Sequence, residues 1–164
     1  IAQCYKLIGD NVNALIYYER LSELLPNNTS ITLNLGHCYL EAGRYDEALK
    51  AYFMVDYLSP ESGKALRPLA WTLFLTGDYN RCSEYYDRVL QYNPTAADYL
   101  NIGHLNMALK QYRKAEHYYQ LSKSSPDFGE KKFLAQFKSD RCFLIQSGVS
   151  DEIIDIVIDS VLES

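Results

Sequence analysis

The sequence has no apolar run approaching the roughly 20 residues that a membrane-spanning helix needs, and no block of basic residues. It carries 16 Lys and Arg against 21 Asp and Glu, a formal charge of −5. Such a chain is a poor candidate for nucleic acid binding, which depends on neutralising phosphates. Apolar residues make up 48% of the 164, which excludes a disordered chain. The composition predicts a globular protein without a membrane span and without nucleic acid as a partner.

The sequence also lacks the short motifs that mark common enzyme classes. It has no phosphate-binding loop, no G-x-G-x-x-G, no G-x-S-x-G and no H-E-x-x-H. His37 and His104 hold the same position two repeats apart, too distant to share a metal, and His117 lies on a different helix. We expect all three histidines at the repeat surface, and we expect no enzymatic activity, no cofactor and no metal site.

Cysteine is scarce and widely spaced. The four cysteines show neither a C-x-x-C pair nor a zinc-like spacing, and a chain of this length does not need disulfides to form a core. We expect them to be buried free thiols, which favours a reducing, cytoplasmic location. Because the chain begins at Ile1 rather than Met, we expect a fragment of a longer repeat protein.

An internal repeat organises the sequence. Copies aligned at an offset of 34 residues share columns of glycine, small residue, tyrosine and proline. The columns are Gly9, Gly43 and Gly77, then Ala14, Ala48 and Cys82, then Tyr18, Tyr52 and Tyr86, then Pro26, Pro60 and Pro94, with Ala115, Tyr119 and Pro126 in a slightly shortened fourth copy.

Each column has a physical reason. Gly43 can adopt the positive φ that closes a helix. Ala48 is small enough for two helices to approach closely, and Tyr52 fills the space one turn later. Pro60 ends the second helix, since it cannot continue one. One copy is therefore a short antiparallel helix pair, which must stack on other copies to bury its apolar faces.

These columns resemble the tetratricopeptide repeat, a 34-residue helix–turn–helix. The best copy has Leu35-Gly36, Tyr39, Gly43, Ala48 and Pro60. The resemblance implies an all-α fold, a solenoid of antiparallel helix pairs with C-terminal capping helices. The predicted segments are a truncated first repeat 1–28, repeats 29–62, 63–96 and 97–128, and a tail 129–164.

Two features depart from the repeat. Pro68 falls where a first helix should be under way, so we predict that this helix starts late or bends there. The tail predicts a capping helix from about 129 to 147, ended by Gly148. An acidic segment follows, with Ser150 as its expected N-cap. Its β-branched residues allow a strand, but helical spacing favours a helix.

The resemblance also implies a concave groove lined by one face of each first helix. The groove residues predicted here to bind a partner are Lys6, Leu33, His37, Leu40, Lys64, Arg67, Trp71, Phe74, Leu100, His104 and Met107. A large aromatic beside an arginine is typical of binding hot spots. The alternative is that Trp71 and Phe74 simply pack between neighbouring first helices.

We therefore expect a non-catalytic protein–protein interaction scaffold that binds an apolar or aromatic peptide or helix. Apolar residues such as Leu33 and Leu100 argue against an acidic chaperone tail as the ligand. One alternative is a small secretion-type chaperone. Another is a self-assembly element, a homo-oligomer in which the acidic C-terminal helix docks near Lys6, Lys64 and Arg67 of a neighbour.

Overall fold

The computed structural model describes residues 2–7, 9–126 and 128–163; the side chains of Cys4, Lys6 and Leu7 lie outside this description. Over these residues the chain is all-α, as predicted, and contains no strand. The helices are α1 (Ala2–Leu7), α2 (Asn11–Leu24), α3 (Thr29–Glu41), α4 (Tyr45–Leu58), α5 (Leu66–Leu75), α6 (Tyr79–Leu90), α7 (Ala96–Ala108), α8 (Tyr112–Lys123), α9 (Gly129–Gln146) and α10 (Asp151–Glu163).

The helices form two compact units, Ile1–Thr76 and Gly77–Ser164. In the first unit each helix packs on the next, from α1 through α5. In the second unit α6 packs on α7 and α7 on α8, while α9 covers α7 and α8, and α10 packs on α8. The division of the sequence into 34-residue repeats stays a prediction beside these units.

The turn inside each helix pair needs a left-handed residue. Gly43 has a φ of 72° and Gly77 a φ of 78°, values that glycine adopts without steric cost. At the equivalent turn between α7 and α8, Lys110 adopts a φ of 59°. The fourth turn therefore keeps the same shape, but Lys110 adopts it with a backbone strain that glycine would not have.

The tyrosine column is seated on glycines of the facing helix. Tyr52 of α4 is fully buried, and a Cβ at Gly36 of α3 would lie 2.5 Å from its ring. Tyr119 of α8 is related in the same way to Gly103 of α7. The missing side chain of the glycine lets each ring lie directly against the backbone of the first helix, which explains the close approach of the pair.

Pro68 acts as predicted. Helix α5 begins at Leu66, so Pro68 is its third residue and lies in the first turn, where no intrahelical partner is needed for its nitrogen. A short 3-10 turn, Pro60–Ser62, occupies the chain before it. The proline therefore sets a late start, and α5 has 10 residues where α3 and α7 have 13.

The tail forms the two helices expected. Helix α9 places Phe133 and Phe137 against Tyr119, with ring centroids 5.9 and 5.2 Å away. Gly148 ends it with a φ of 90°. Helix α10 is a helix rather than a strand, and its apolar stripe is buried. The backbone N–H of Ile153 donates to Ser150 Oγ at 3.4 Å, as an N-cap should.

An arginine joins the two tail helices. Arg141 of α9 donates to Asp151 at 2.9 Å and to Asp155 at 2.6 Å, both on α10. These hydrogen bonds raise the pKa of Arg141 above its usual value and lower that of Asp155. Two of the acids that make this helix negative therefore have a partner inside their own unit.

The expectation of buried thiols holds for two cysteines and fails for a third. Cys38 and Cys82 are buried. Cys142 is exposed, because it lies on the side of α9 opposite to Phe133 and Phe137. Cys4 lies outside the described side chains.

Replacing Gly36 by alanine should destabilise the chain, although alanine is the better helix former by about 1 kcal/mol. The buried Tyr52 ring leaves no room for the added methyl group, and overpacking of this kind costs roughly 1–3 kcal/mol. Urea unfolding followed by circular dichroism measures the change. With Tyr52→Leu as the background, the same alanine should add stability; added stability in the single variant would contradict the close contact.

Replacing Arg141 by glutamine should return the pKa of Asp155 to its usual range, because the hydrogen bond that lowers it is lost. With a lowered folded pKa, this contact stabilises the chain above the unfolded value of about 3.9 and is lost as pH falls through the folded value. Carboxyl ¹³C NMR titration measures the shift. Lys138→Gln, on the same helix, should leave Asp155 unchanged; an unchanged Asp155 in Arg141→Gln would contradict the assignment.

Candidate partner-binding surface

In the first unit, the predicted groove residues on α3 and α5 remain accessible except for Phe74. Leu33, His37 and Leu40 are half-buried along one face of α3. Just before and on α5, Lys64 and Arg67 are exposed and Trp71 is half-buried. The structure brings Leu33 and Lys64 together, because both line a pocket of about 110 Å³ between the start of α3 and the end of α4.

Trp71 and Phe74 form a stacked pair on α5. Their ring centroids are 5.3 Å apart with an interplanar angle of 20°. Phe74 is only 3% exposed, so its prediction as an accessible groove residue is wrong, since it packs beneath Trp71. Trp71 keeps part of its surface available, and Phe74 supports its ring from the core.

In the second unit, the predicted groove face is closed. Leu100, His104 and Met107 are 1% exposed or less, because α9 packs across α7. The prediction that these three residues line an open groove is therefore wrong, as is the expectation of a surface histidine at position 104. The residues belong to the core beneath the capping helix.

His104 is the centre of a buried polar cluster. Its Nδ1 shares a 2.8 Å hydrogen bond with the Tyr119 hydroxyl, and its ring lies 5.6 Å from that of Phe137. Its Nε2 lies 3.5 Å from Asp140 Oδ2, which accepts from Gln136. Burial, with Asp140 adding to it, raises the pKa of Tyr119 well above its usual value. The cluster holds α7, α8 and α9 together.

His37 shows the same bond in an accessible setting. Its Nδ1 lies 2.8 Å from the Tyr52 hydroxyl, and the ring remains half-buried. The signal that distinguishes the two histidines lies in α9, where Asp140 interrupts the apolar face that carries Phe133 and Phe137. An acid on an apolar stripe indicates a buried polar partner. Lys6, the remaining predicted residue, lies outside the described side chains.

A larger cleft that the sequence did not indicate lies in the second unit, between α6, α7 and α8. It has a volume of about 370 Å³. Its apolar lining comes from all three helices, and its polar groups come from opposite sides. The lining residues include Asp87, Leu90, Ile102, Leu105, Asn106 and Lys114.

In the first unit, part of the equivalent space is filled by side chains. The Tyr39 hydroxyl donates to Glu19 at 3.0 Å, and the Arg44 guanidinium lies 4.5 Å from the Tyr39 ring centroid. Arg44 also pairs with Glu47 at 2.8 Å. Burial, followed by the Glu19 hydrogen bond, raises the pKa of Tyr39 to about 12. These four side chains, here called the Tyr39 cluster, join α2, α3 and α4.

Neither a metal cluster nor a membrane span is found in the described ranges. No group of three His, Cys, Asp or Glu side chains lies close enough to hold a metal ion. No helix there is both long and apolar enough to cross a bilayer.

Comparison with known families decides the classification. One family model described as tetratricopeptide repeat matches residues 9–57, and a second with the same description matches residues 69–95 and 99–125. Together they cover more than half of the chain. The chain belongs to the tetratricopeptide repeat family. Membership of this family supports a role as a protein-interaction scaffold.

Two curated tetratricopeptide repeat proteins are similar in sequence. Tetratricopeptide repeat protein 8 of Caenorhabditis elegans is 26% identical over 113 residues, which are 68% of this chain and 22% of the relative. Tetratricopeptide repeat protein 21B of Mus musculus is 29% identical over 99 residues, 60% of this chain and 8% of the relative. The chain thus spans less than a quarter of either relative.

Solved structures share the helical fold of this chain. A crystal structure of MamA superposes with a TM-score of 0.73 at 21% identity, covering 99% of this chain and 93% of that one. MamA 41-end from Desulfovibrio magneticus RS-1 gives 0.73 at 18% identity, covering 97% and 90%. At these identities the likeness concerns the fold alone.

Replacing His104 by alanine should cost about 3 kcal/mol of unfolding free energy, because it leaves a cavity and an unpaired buried hydroxyl on Tyr119. His37→Ala removes the equivalent bond at a half-buried position, where water can reach the Tyr52 hydroxyl once the imidazole is gone, and it should cost roughly 1 kcal/mol. Urea unfolding of both variants measures the difference. Equal costs would contradict the distinction between a covered and an open first helix.

Proposed function

We propose that the chain is a non-catalytic interaction module whose first unit binds an apolar or aromatic peptide segment. The binding surface is the face of α3 with Leu33, His37 and Leu40, together with Arg67 and Trp71 of α5. The observation that carries the proposal is the setting of Trp71. Its ring is partly exposed while the stacked Phe74 beneath it is buried, an arrangement that fits a hot spot.

The mechanism is presentation of a fixed surface. The buried Phe74 limits the positions available to the Trp71 ring, so little side-chain freedom is lost when a partner covers it. Arg67 precedes Trp71 by four residues on the same helix, so both lie on one face. The Arg67 guanidinium lies at the edge of this apolar surface, where it can donate hydrogen bonds to a partner carbonyl or carboxylate.

Assembly through the acidic C-terminal helix has weaker support. Helix α10 buries its apolar stripe inside its own unit, and Asp151 and Asp155 pair with Arg141. Docking on a neighbour would first have to break these contacts. The secretion-type chaperone stays a sequence-based alternative without a structural feature of its own.

Peptides selected for binding should depend on Trp71. A phage-displayed library of random 12-residue peptides is selected on the immobilised chain, and the synthetic peptides are titrated while tryptophan emission is recorded. Trp71 is the only tryptophan, so a saturable change reports directly on this surface. Loss of a hot-spot residue costs about 2 kcal/mol or more, which weakens binding about 30-fold.

The variants make this test specific. Trp71→Ala and Arg67→Ala should weaken binding, measured by calorimetry because the first removes the fluorophore. Tyr57→Ala, which truncates a highly exposed aromatic on α4, should leave binding unchanged. Selected peptides that bind all three variants equally would refute the proposed surface.

A further inference from the structure

The repeat register relates the cleft of the second unit to the Tyr39 cluster of the first. Asp87 follows Glu19 by 68 residues, and Asn106 follows Tyr39 by 67. These offsets are two repeat lengths, with the one-residue shortening of the fourth copy. Two residues that line the 370 Å³ cleft, Asp87 and Asn106, therefore hold the positions at which Glu19 and Tyr39 are hydrogen-bonded in the first unit.

The replaced residues explain why the space is open. Where the first unit has the Tyr39 ring, the second has the much smaller Asn106, whose amide donates to the Ile102 carbonyl of its own helix. Gln111 takes the place of Arg44, so the guanidinium is also absent. At these two positions the second unit therefore has neither the aromatic ring nor the guanidinium of the first.

The first unit also has a cleft, which overlaps that of the second unit by register: Leu35 and Glu47 line it, as their counterparts Ile102 and Lys114 line the other. Its 330 Å³ are lined by Tyr39 itself and extend to Ser22, Pro26 and Met54 near the ends of α2 and α4. Glu19 and Arg44 do not line it, whereas their counterparts Asp87 and Gln111 line the cleft of the second unit. The part of the second cleft beside Asp87 and Gln111 thus corresponds to the positions that Glu19 and Arg44 hold in the first unit.

The polar groups of the cleft select the chemistry of an occupant. Asp87 of α6 and Lys114 of α8 both line it, and neither forms an ion pair within the described part of the chain. A partner carboxylate or phosphate would be repelled by Asp87, and a partner arginine would be repelled by Lys114. A phenol satisfies both, because its hydroxyl donates to a carboxylate and accepts from an ammonium group. Its ring suits the apolar lining of Leu90, Ile102 and Leu105.

We propose that this cleft binds a tyrosine side chain of a partner protein, with its hydroxyl between Asp87 and Lys114. The first unit contains the same kind of contact, since the Tyr39 hydroxyl donates at 3.0 Å to Glu19, the counterpart of Asp87. The partner's tyrosine takes the place that Asn106 leaves open. This surface lies in the second unit and is independent of the Trp71 surface proposed above.

The test uses N-acetyl-tyrosinamide as the probe and N-acetyl-phenylalaninamide as its match without the hydroxyl. Backbone amide shifts of the ¹⁵N-labelled full chain are followed during titration. Saturable shifts should appear at Asn106 and Gln111, with the tyrosine probe binding at least five-fold more tightly than the phenylalanine probe. Equal affinities, or no saturation, would overturn the proposal.

Two variants locate the probe. Asn106→Tyr restores the side chain of the earlier repeat and should abolish binding of both probes by occupying the place proposed for the partner's ring. Asp87→Asn, an exposed and conservative change, should remove most of the preference for tyrosine and leave the phenylalanine probe unaffected.

Lys50→Ala is the control, because Lys50 lines only the cleft of the first unit. It should change neither affinity. Tyrosine-probe binding that survives Asn106→Tyr, or that keeps its preference in Asp87→Asn, would overturn the site. The Asp87→Asn result decides the proposal by itself where Asn106→Tyr does not fold. Trp71→Ala should leave the probe's affinity unchanged, which separates this site from the peptide surface.

Discussion

The contact on which each well-formed helix pair depends is a tyrosine ring lying against a glycine. Tyr52 on Gly36 and Tyr119 on Gly103 bring the second helix close to the first, and each hydroxyl then reaches a histidine of the facing helix. Burial of these rings supplies apolar area, while the hydrogen bond satisfies the one polar atom that burial would otherwise leave unpaired. The spacing of both helix pairs follows from this contact.

Two sequence-based predictions competed for one helix face, and only one could be right. The tail was expected to cap the last repeat, and residues of that same repeat were expected to line an open groove. Helix α9 covers α7, so Leu100, His104 and Met107 are core residues. The apolar face of a terminal helix pair has to be buried by something, and in this chain the next helix in sequence does so. The accessible part of the predicted groove therefore lies on α3 and α5.

Local features of the fold could be predicted from the sequence because each has a local cause. The Gly43 turn, the late start imposed by Pro68 and the end of α9 at Gly148 all follow from the backbone freedom of single residues. The state of His104 could not be predicted from its position in the repeat, because the residue that covers it lies 33 positions later. The open cleft could not be predicted for a related reason. It results from Asn106 and Gln111 being smaller than their counterparts, and the repeat pattern does not show the volume that a smaller side chain leaves empty.

The turn at Lys110 has a consequence for the unfolded chain. A glycine turn such as Gly77 is unstrained when folded, but its backbone has many conformations to lose when the chain folds. Lys110 reverses this balance: its left-handed conformation is strained in the folded state, while its unfolded backbone is more restricted. The fourth helix pair therefore closes its turn at a smaller entropic cost and a larger conformational strain than the pairs before it.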